Sequence, residues 1–188
     1  VLARQAIVHS VPIANDLQTA SVMATAWLPL LALGCPFQDR DVPHPLEGLA
    51  EGQKTLALIA HNEKKLEICD FVVANPSTII DRYDVLITTG TTGSWIQRFL
   101  TSLAYKDFAS KVIRCNSGPD GGDVQIANAV CEGKCEDVIF FQDPGSSHPH
   151  DADIRLFEQA IYDKAGRAAT TRLARNWETA SFLIESPS

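Results

Sequence analysis

A chain of 188 residues can bury a full core, and 45% hydrophobic with 21% charged residues is the usual make-up of a soluble globular protein. A formal net charge of −7 excludes a general nucleic-acid binder, which would show a basic face, yet leaves room for a small anion held by local donors. No apolar run approaches the roughly 20 residues of a membrane span. The five cysteines (Cys35, Cys69, Cys115, Cys131 and Cys135) include no CxxC pair, so reduced thiols in a cytoplasmic protein without structural metal are expected.

Residues 1–50 stand apart. "SVMATAWLPLLALGC" (21–35) is apolar and broken by Pro29, and the only charges from 1 to 38 are Arg4 and Asp16. Two readings fit: an accessory helix with a linker, or an organelle-targeting or secretory remnant. Residues 51–188 are expected to form the functional domain.

From residue 54 onward, strand and helix patterns alternate. "KTLALIA" (54–60), "YDVLITT" (83–89), "KVIRC" (111–115), "DVIFFQ" (137–142) and "TTRLAR" (170–175) are short apolar runs suited to strands covered on both faces. Between them, Leu66, Cys69 and Val73 repeat at helical spacing before Asn75-Pro76, which is expected to stop the helix. Ile96, Leu100 and Leu103 do the same, as do Ile154, Phe157 and Ile161 ahead of Gly166. The alternation predicts an α/β domain, a doubly wound, mostly parallel five-stranded sheet with helices on both faces.

In such a sheet the ligand crevice lies beyond the carboxyl ends of the strands. The unusual residues of this chain follow strands. "HNEKK" (61–65) supplies His61 and Lys65. "TTGTTG" (88–93) places Thr89, Thr91 and Thr92 at a helix start, an anion cradle that lacks the GK[ST] of a P-loop. "SGPDGGD" (117–123) offers Ser117 and Gly118 as phosphate donors. Its last residue, Asp123, can either cap the next helix or, if desolvated, take a proton from carbon. "DPGSSHPHDAD" (143–153) carries Asp143, His148, His150, Asp151 and Asp153. The His-Pro-His spacing is a poor chelate, and a neutral histidine stabilising an enolate oxygen suits it better than a metal site.

From about Lys54 to Ser186 the chain resembles the methylglyoxal synthase family, through "ALIAHNEKK", "TTGTTG", "SGPDGGDVQIANAVCEGK", "DVIFFQDP", "PHDAD" and "NWETASFLIESP". "TTGTTG" alone is shared with the regulatory domain of carbamoyl-phosphate synthetase and the cyclohydrolase domain of purine synthesis. The resemblance implies elimination of phosphate from dihydroxyacetone phosphate, giving methylglyoxal and inorganic phosphate, with no metal or organic cofactor. By motif position Asp123 would be the base at C3 and His150 the group that polarises the carbonyl. Asp153, Asp143 and His61 would be further active-site residues, and Lys65, Thr89, Thr91, Thr92, Ser117 and Gly118 would bind phosphate. A homohexamer is the family's usual assembly. Asn62 departs from the family's aspartate at that position, and the family normally continues beyond the "FLIESPS" with which this chain ends. A non-catalytic sensor of phosphorylated metabolites is the rival reading, and a metal-dependent hydrolase built on the His and Asp cluster is a third.

Overall fold

Strands apolar at consecutive positions are satisfied only where both faces of a sheet are covered. The computed structural model describes residues 45–50, 52–143, 145, 155, 158, 159, 161 and 171–186, and in it five such runs pair into one sheet. The strands are β1 (Thr55–Ala60), β2 (Val85–Thr88), β3 (Val112–Arg114), β4 (Asp137–Phe141) and β5 (Arg172–Ala174). All pair in parallel, in the order β3-β2-β1-β4-β5. The chain winds outward from β1 to β3, then crosses back to lay β4 on the other side of β1. The winding direction therefore reverses between β1 and β4, which opens a crevice at their carboxyl ends.

Alternate residues of each strand feed two cores. Leu56 and Leu58 of β1, Leu86 of β2 and Ile139 and Phe141 of β4 face one layer of helices. That layer comprises α1 (Lys65–Ala74), α2 (Pro76–Arg82), α3 (Gly90–Ser102), α4 (Lys106–Ser110) and α6 (Trp177–Glu185). Ala57 and Ile59 of β1, Ile87 of β2 and Val138 and Phe140 of β4 face α5 (Gly122–Cys131), joined by Leu46 and Leu49. Each large aliphatic side chain fully buried in this way contributes about 1.5–3 kcal/mol.

Two local expectations need correction. The helical spacing that singles out Leu66 and Leu103 does not mark a buried stripe, since both are exposed, at 57% and 45%. The covered residues of α1 are Ile68, Cys69, Phe71 and Val72, a wider arc than a simple stripe because α1 packs on both the sheet and α3. Asn75-Pro76 does end α1, yet Pro76 opens a second helix, α2, since a proline costs nothing at a first helical position. Ile154, Phe157 and Gly166 lie outside the described residues; Ile161 is helical and packs against the second core.

At the amino ends of the strands, opposite the crevice, a charge is fully enclosed. Asp137 is 1% exposed and accepts hydrogen bonds from Tyr83 Oη at 2.6 Å and from Arg172 Nε and Nη2 at 2.7 Å each. Arg82 adds positive charge at 3.7 Å, too long for a hydrogen bond. Arg82 Nη1 donates instead to the carbonyl oxygens of Ile184 and Ser186, clamping the end of α6. A buried carboxylate needs such partners, because its removal from water is otherwise prohibitive.

Candidate active site

Three strand tips build one cleft. Beyond β1, His61 donates its backbone N–H to Phe141 O at 3.1 Å, tying the tips of β1 and β4 together. A single 3-10 turn, Asn62–Lys64, then leads into α1. Beyond β2, Thr89 is the N-cap of α3, whose positive end therefore faces the crevice. Gly90 lies so close to the neighbouring loop that a Cβ would sit 3.0 Å from Cys115 O, and its N–H donates to Asn116 O at 2.9 Å. Beyond β3, Ser117 precedes a 3-10 turn (Gly118–Asp120), and Gly121 at φ +92° swings the chain into α5. At Gly122 a Cβ would fall 1.9 Å from Asn116 O, so only glycine permits this approach.

The glycines thus deliver Asp123 to the cleft wall. Asp123 lies in the first turn of α5 and is 5% exposed. The N-cap position belongs to Gly121, so the capping role open to Asp123 from sequence is not the one it takes. Burial, assisted by the negative charge of Asp123, pushes the neighbouring Cys115 thiol up to about 12.

His61 is buried and stands edge-on to Phe140, with ring centroids 5.1 Å apart. Its Nδ1 accepts a hydrogen bond from the backbone N–H of Asp143 at 2.9 Å. A ring nitrogen that accepts cannot carry the proton in the neutral imidazole, so Nε2 holds it and is a donor. Lys65 Nζ donates to Asn62 Oδ1 at 2.5 Å, and partial burial lowers its pKa from the ordinary 10.5. The cleft they share has a volume of about 210 Å³, below the roughly 300–1,000 Å³ usual for drug-sized ligands, which suits a small metabolite.

No family model matches the chain. Over 140 residues it is 36% identical to the methylglyoxal synthase of Maridesulfovibrio salexigens, an alignment covering 71% of this chain and 84% of that protein. Over 137 residues it is 36% identical to the methylglyoxal synthase of Agrobacterium fabrum, covering 72% of this chain and 95% of the relative. The chain belongs to the methylglyoxal synthase family. The fold agrees: a crystal structure of methylglyoxal synthase from Elizabethkingia anophelis matches with a TM-score of 0.55 and 32% identity, over 72% of this chain and 79% of that one. Membership of the methylglyoxal synthase family makes the chain an enzyme, and a lyase.

Of the residues singled out for methylglyoxal synthase chemistry, His61, Lys65, Thr89, Thr91, Ser117, Gly118 and Asp123 all line this one cleft. Thr92 does not. It is fully buried behind Thr89, whose Oγ1 donates to Thr92 Oγ1 at 3.1 Å, so it orients the lining hydroxyl. Ser117 spends its hydroxyl proton on Asp120, which is exposed. Asp143 is outside the lining and acts through its backbone on His61, while its Oδ1 accepts from Gly145 N at 3.0 Å. His148, His150, Asp151 and Asp153 lie outside the described residues. Among the described residues no group of three His, Cys, Asp or Glu could hold a metal, and no helix is long and apolar enough to cross a membrane. Sequence reasoning missed Ile59, Ala60 and Phe140 as the apolar floor. It missed also the Asn62–Lys65 contact, for which the three-residue spacing at a helix start was the available signal.

Proposed function

We propose that this enzyme eliminates phosphate from dihydroxyacetone phosphate, releasing methylglyoxal and inorganic phosphate. The observation that carries the reading is the convergence of a buried carboxylate, a histidine N–H donor and a cationic, hydroxyl-rich cradle on one small cleft. Asp123 removes a proton from C3, and the electron pair moves onto the C2 carbonyl oxygen. His61 Nε2–H donates to that oxygen as its charge develops, the kind of fixed donor worth about 10²–10³ in rate. The resemblance gives His150 the same task and Asp153 a supporting one.

The enediolate then collapses: the C3 hydroxyl passes its proton to the C2 oxygen and forms the aldehyde C=O, and the C2–C3 double-bond pair shifts to C1–C2. The C1–O bond breaks, and phosphate leaves with that bonding pair and takes the proton held by Asp123. The resulting enol takes a proton at C1 and gives up its C2 hydroxyl proton, becoming methylglyoxal, so atoms and charges balance without a redox partner. Lys65, Thr89, Thr91, Ser117 and Gly118 hold the phosphoryl group at the positive end of α3, Ser117 through its backbone N–H because its hydroxyl proton goes to Asp120. Held out of the enediol plane, that group departs; held in the plane, the molecule would isomerise instead. A homo-oligomer, hexameric by the resemblance, and a cytoplasmic location belong to the same reading. So does a division into an N-terminal extension, 1–50, and a catalytic domain, 51–188.

The test is direct. Purified protein is incubated with dihydroxyacetone phosphate, and methylglyoxal and free phosphate are measured in equal amounts, with chelator present. Phosphate binding without either product would favour the sensor reading, and loss of activity with chelator would favour a metal-dependent hydrolase.

A further inference from the structure

Two adjacent lysines open α1, and the structure treats them differently. Lys64 Nζ is paired with Glu67 Oε2 at 2.6 Å and does not line the cleft. Lys65 lines it, makes no ion pair among the described residues, and is held by a neutral group, Asn62 Oδ1, at 2.5 Å. Backbone and side chain cooperate in this contact, because the N–H of Lys65 also donates to Asn62 O at the close of the 3-10 turn. An amide oxygen can fix the direction of an ammonium without cancelling its charge. Asn62 is itself exposed and part of the cleft wall, so its own charge state would be felt by whatever anion enters.

We infer that Asn62 is a positioning residue that aims the Lys65 ammonium into the cleft through a neutral bond, and that this neutrality sets how tightly the site holds a phosphate dianion. The inference rests on the reading of the cleft as a phosphate site. A carboxylate at position 62 would form an ion pair with Lys65 in nearly the same geometry. It would offset the Lys65 charge and set a second anion beside Asp123 against the incoming phosphate. The tether would survive, and the attraction would not.

The substitution Asn62→Asp separates the two effects because it keeps size and shape, and Asn62→Ala removes the tether while leaving the charge balance unchanged. Titration calorimetry with inorganic phosphate is the readout on the full chain. Asn62→Asp should weaken phosphate binding by about tenfold, the scale of one added charge a few ångströms away at an exposed position where water screens most of its field, and the loss should shrink as salt is raised. Asn62→Ala should weaken it less. In turnover, Asn62→Asp should raise KM for dihydroxyacetone phosphate more than it lowers kcat, whereas a merely structural role would reduce the folded fraction and leave the phosphate Kd of the remainder unchanged. A phosphate Kd for Asn62→Asp within about twofold of wild type at low salt overturns the inference. The lyase reading fails separately: wild type that binds phosphate but yields no methylglyoxal sinks that reading, while the tenfold difference in phosphate Kd would still support the role of Asn62.

Discussion

The backbone N–H of Asp143 donates to Nδ1 of His61 across the junction of β1 and β4, at 2.9 Å. This bond fixes the histidine tautomer without spending a side chain. The expected signature is a ¹⁵N spectrum in which Nδ1 of His61 is unprotonated and Nε2 bears the proton at neutral pH. Replacement by alanine should lower kcat/KM by about 10²–10³, as for loss of one oxyanion donor. A protonated Nδ1 in the free enzyme would refute the assignment.

Asp123 is asked to act as base, and its amide counterpart keeps the shape while losing that ability. Asp123→Asn should cut turnover by at least about 10²–10⁴, the usual contribution of a positioned base. Phosphate affinity should hold or improve, since a negative charge has left the cleft. Near-normal turnover would remove Asp123 from the role.

Lys65 has its pKa lowered from 10.5 by burial, with Glu63 opposing the shift. The ammonium is the form that attracts phosphate, so affinity should fall as pH rises through that lowered pKa. The fall should begin at a lower pH than an exposed lysine would give. Lys65→Arg keeps its charge across the same range and should flatten the profile. Phosphate titrations over the alkaline range check both, and identical profiles for the two proteins would remove Lys65 from the cradle.

Gly122 admits no side chain because backbone, not a movable group, stands 1.9 Å from the would-be Cβ. Gly122→Ala should shift the loop 116–123 and carry Asp123 with it. The expected cost is about 1–3 kcal/mol of stability, as for other forced insertions into packed sites, together with most of the activity. Thermal melts and turnover measure the two. An unaltered protein would mean that the loop yields more easily than its contacts imply.

Asp137 lies at the far end of the strands. Asp137→Ala would leave the buried Tyr83 hydroxyl without its acceptor and Arg82 and Arg172, 12% and 35% exposed, without a counter-charge, and should destabilise by about 3 kcal/mol, the low end for a broken buried pair because water screens Arg172. Tyr83→Phe removes a single hydrogen bond to a charged group and should cost about 1.5–3 kcal/mol. Both variants, assayed where they remain folded, should retain wild-type kcat. Denaturant melts alongside turnover decide this, and a specific loss of kcat would show coupling along the sheet.

The sheet was legible in sequence because double-sided burial leaves unbroken apolar runs, and "LALIA" and "VIFF" can hardly be anything else. Helix faces were less so. The three-and-four spacing picked Leu66 and Leu103, whereas α1 buries Ile68, Cys69, Phe71 and Val72 because it touches two neighbours at once. At the site, the glycine-rich loops and the residues that follow strands were visible as punctuation. What could not be seen was the layer behind them. The His61–Asp143 bond joins residues 82 positions apart and exists only because β4 returns beside β1. Likewise, nothing local says that Thr92 turns inward while Thr91 turns to the cleft.

The enclosed Asp137 cluster and the cleft occupy opposite termini of the same five strands. Laboratory evolution of the rim toward other small ligands can therefore draw on a stability reserve held elsewhere, and the rim loops are free to drift while the far end keeps the strands in register.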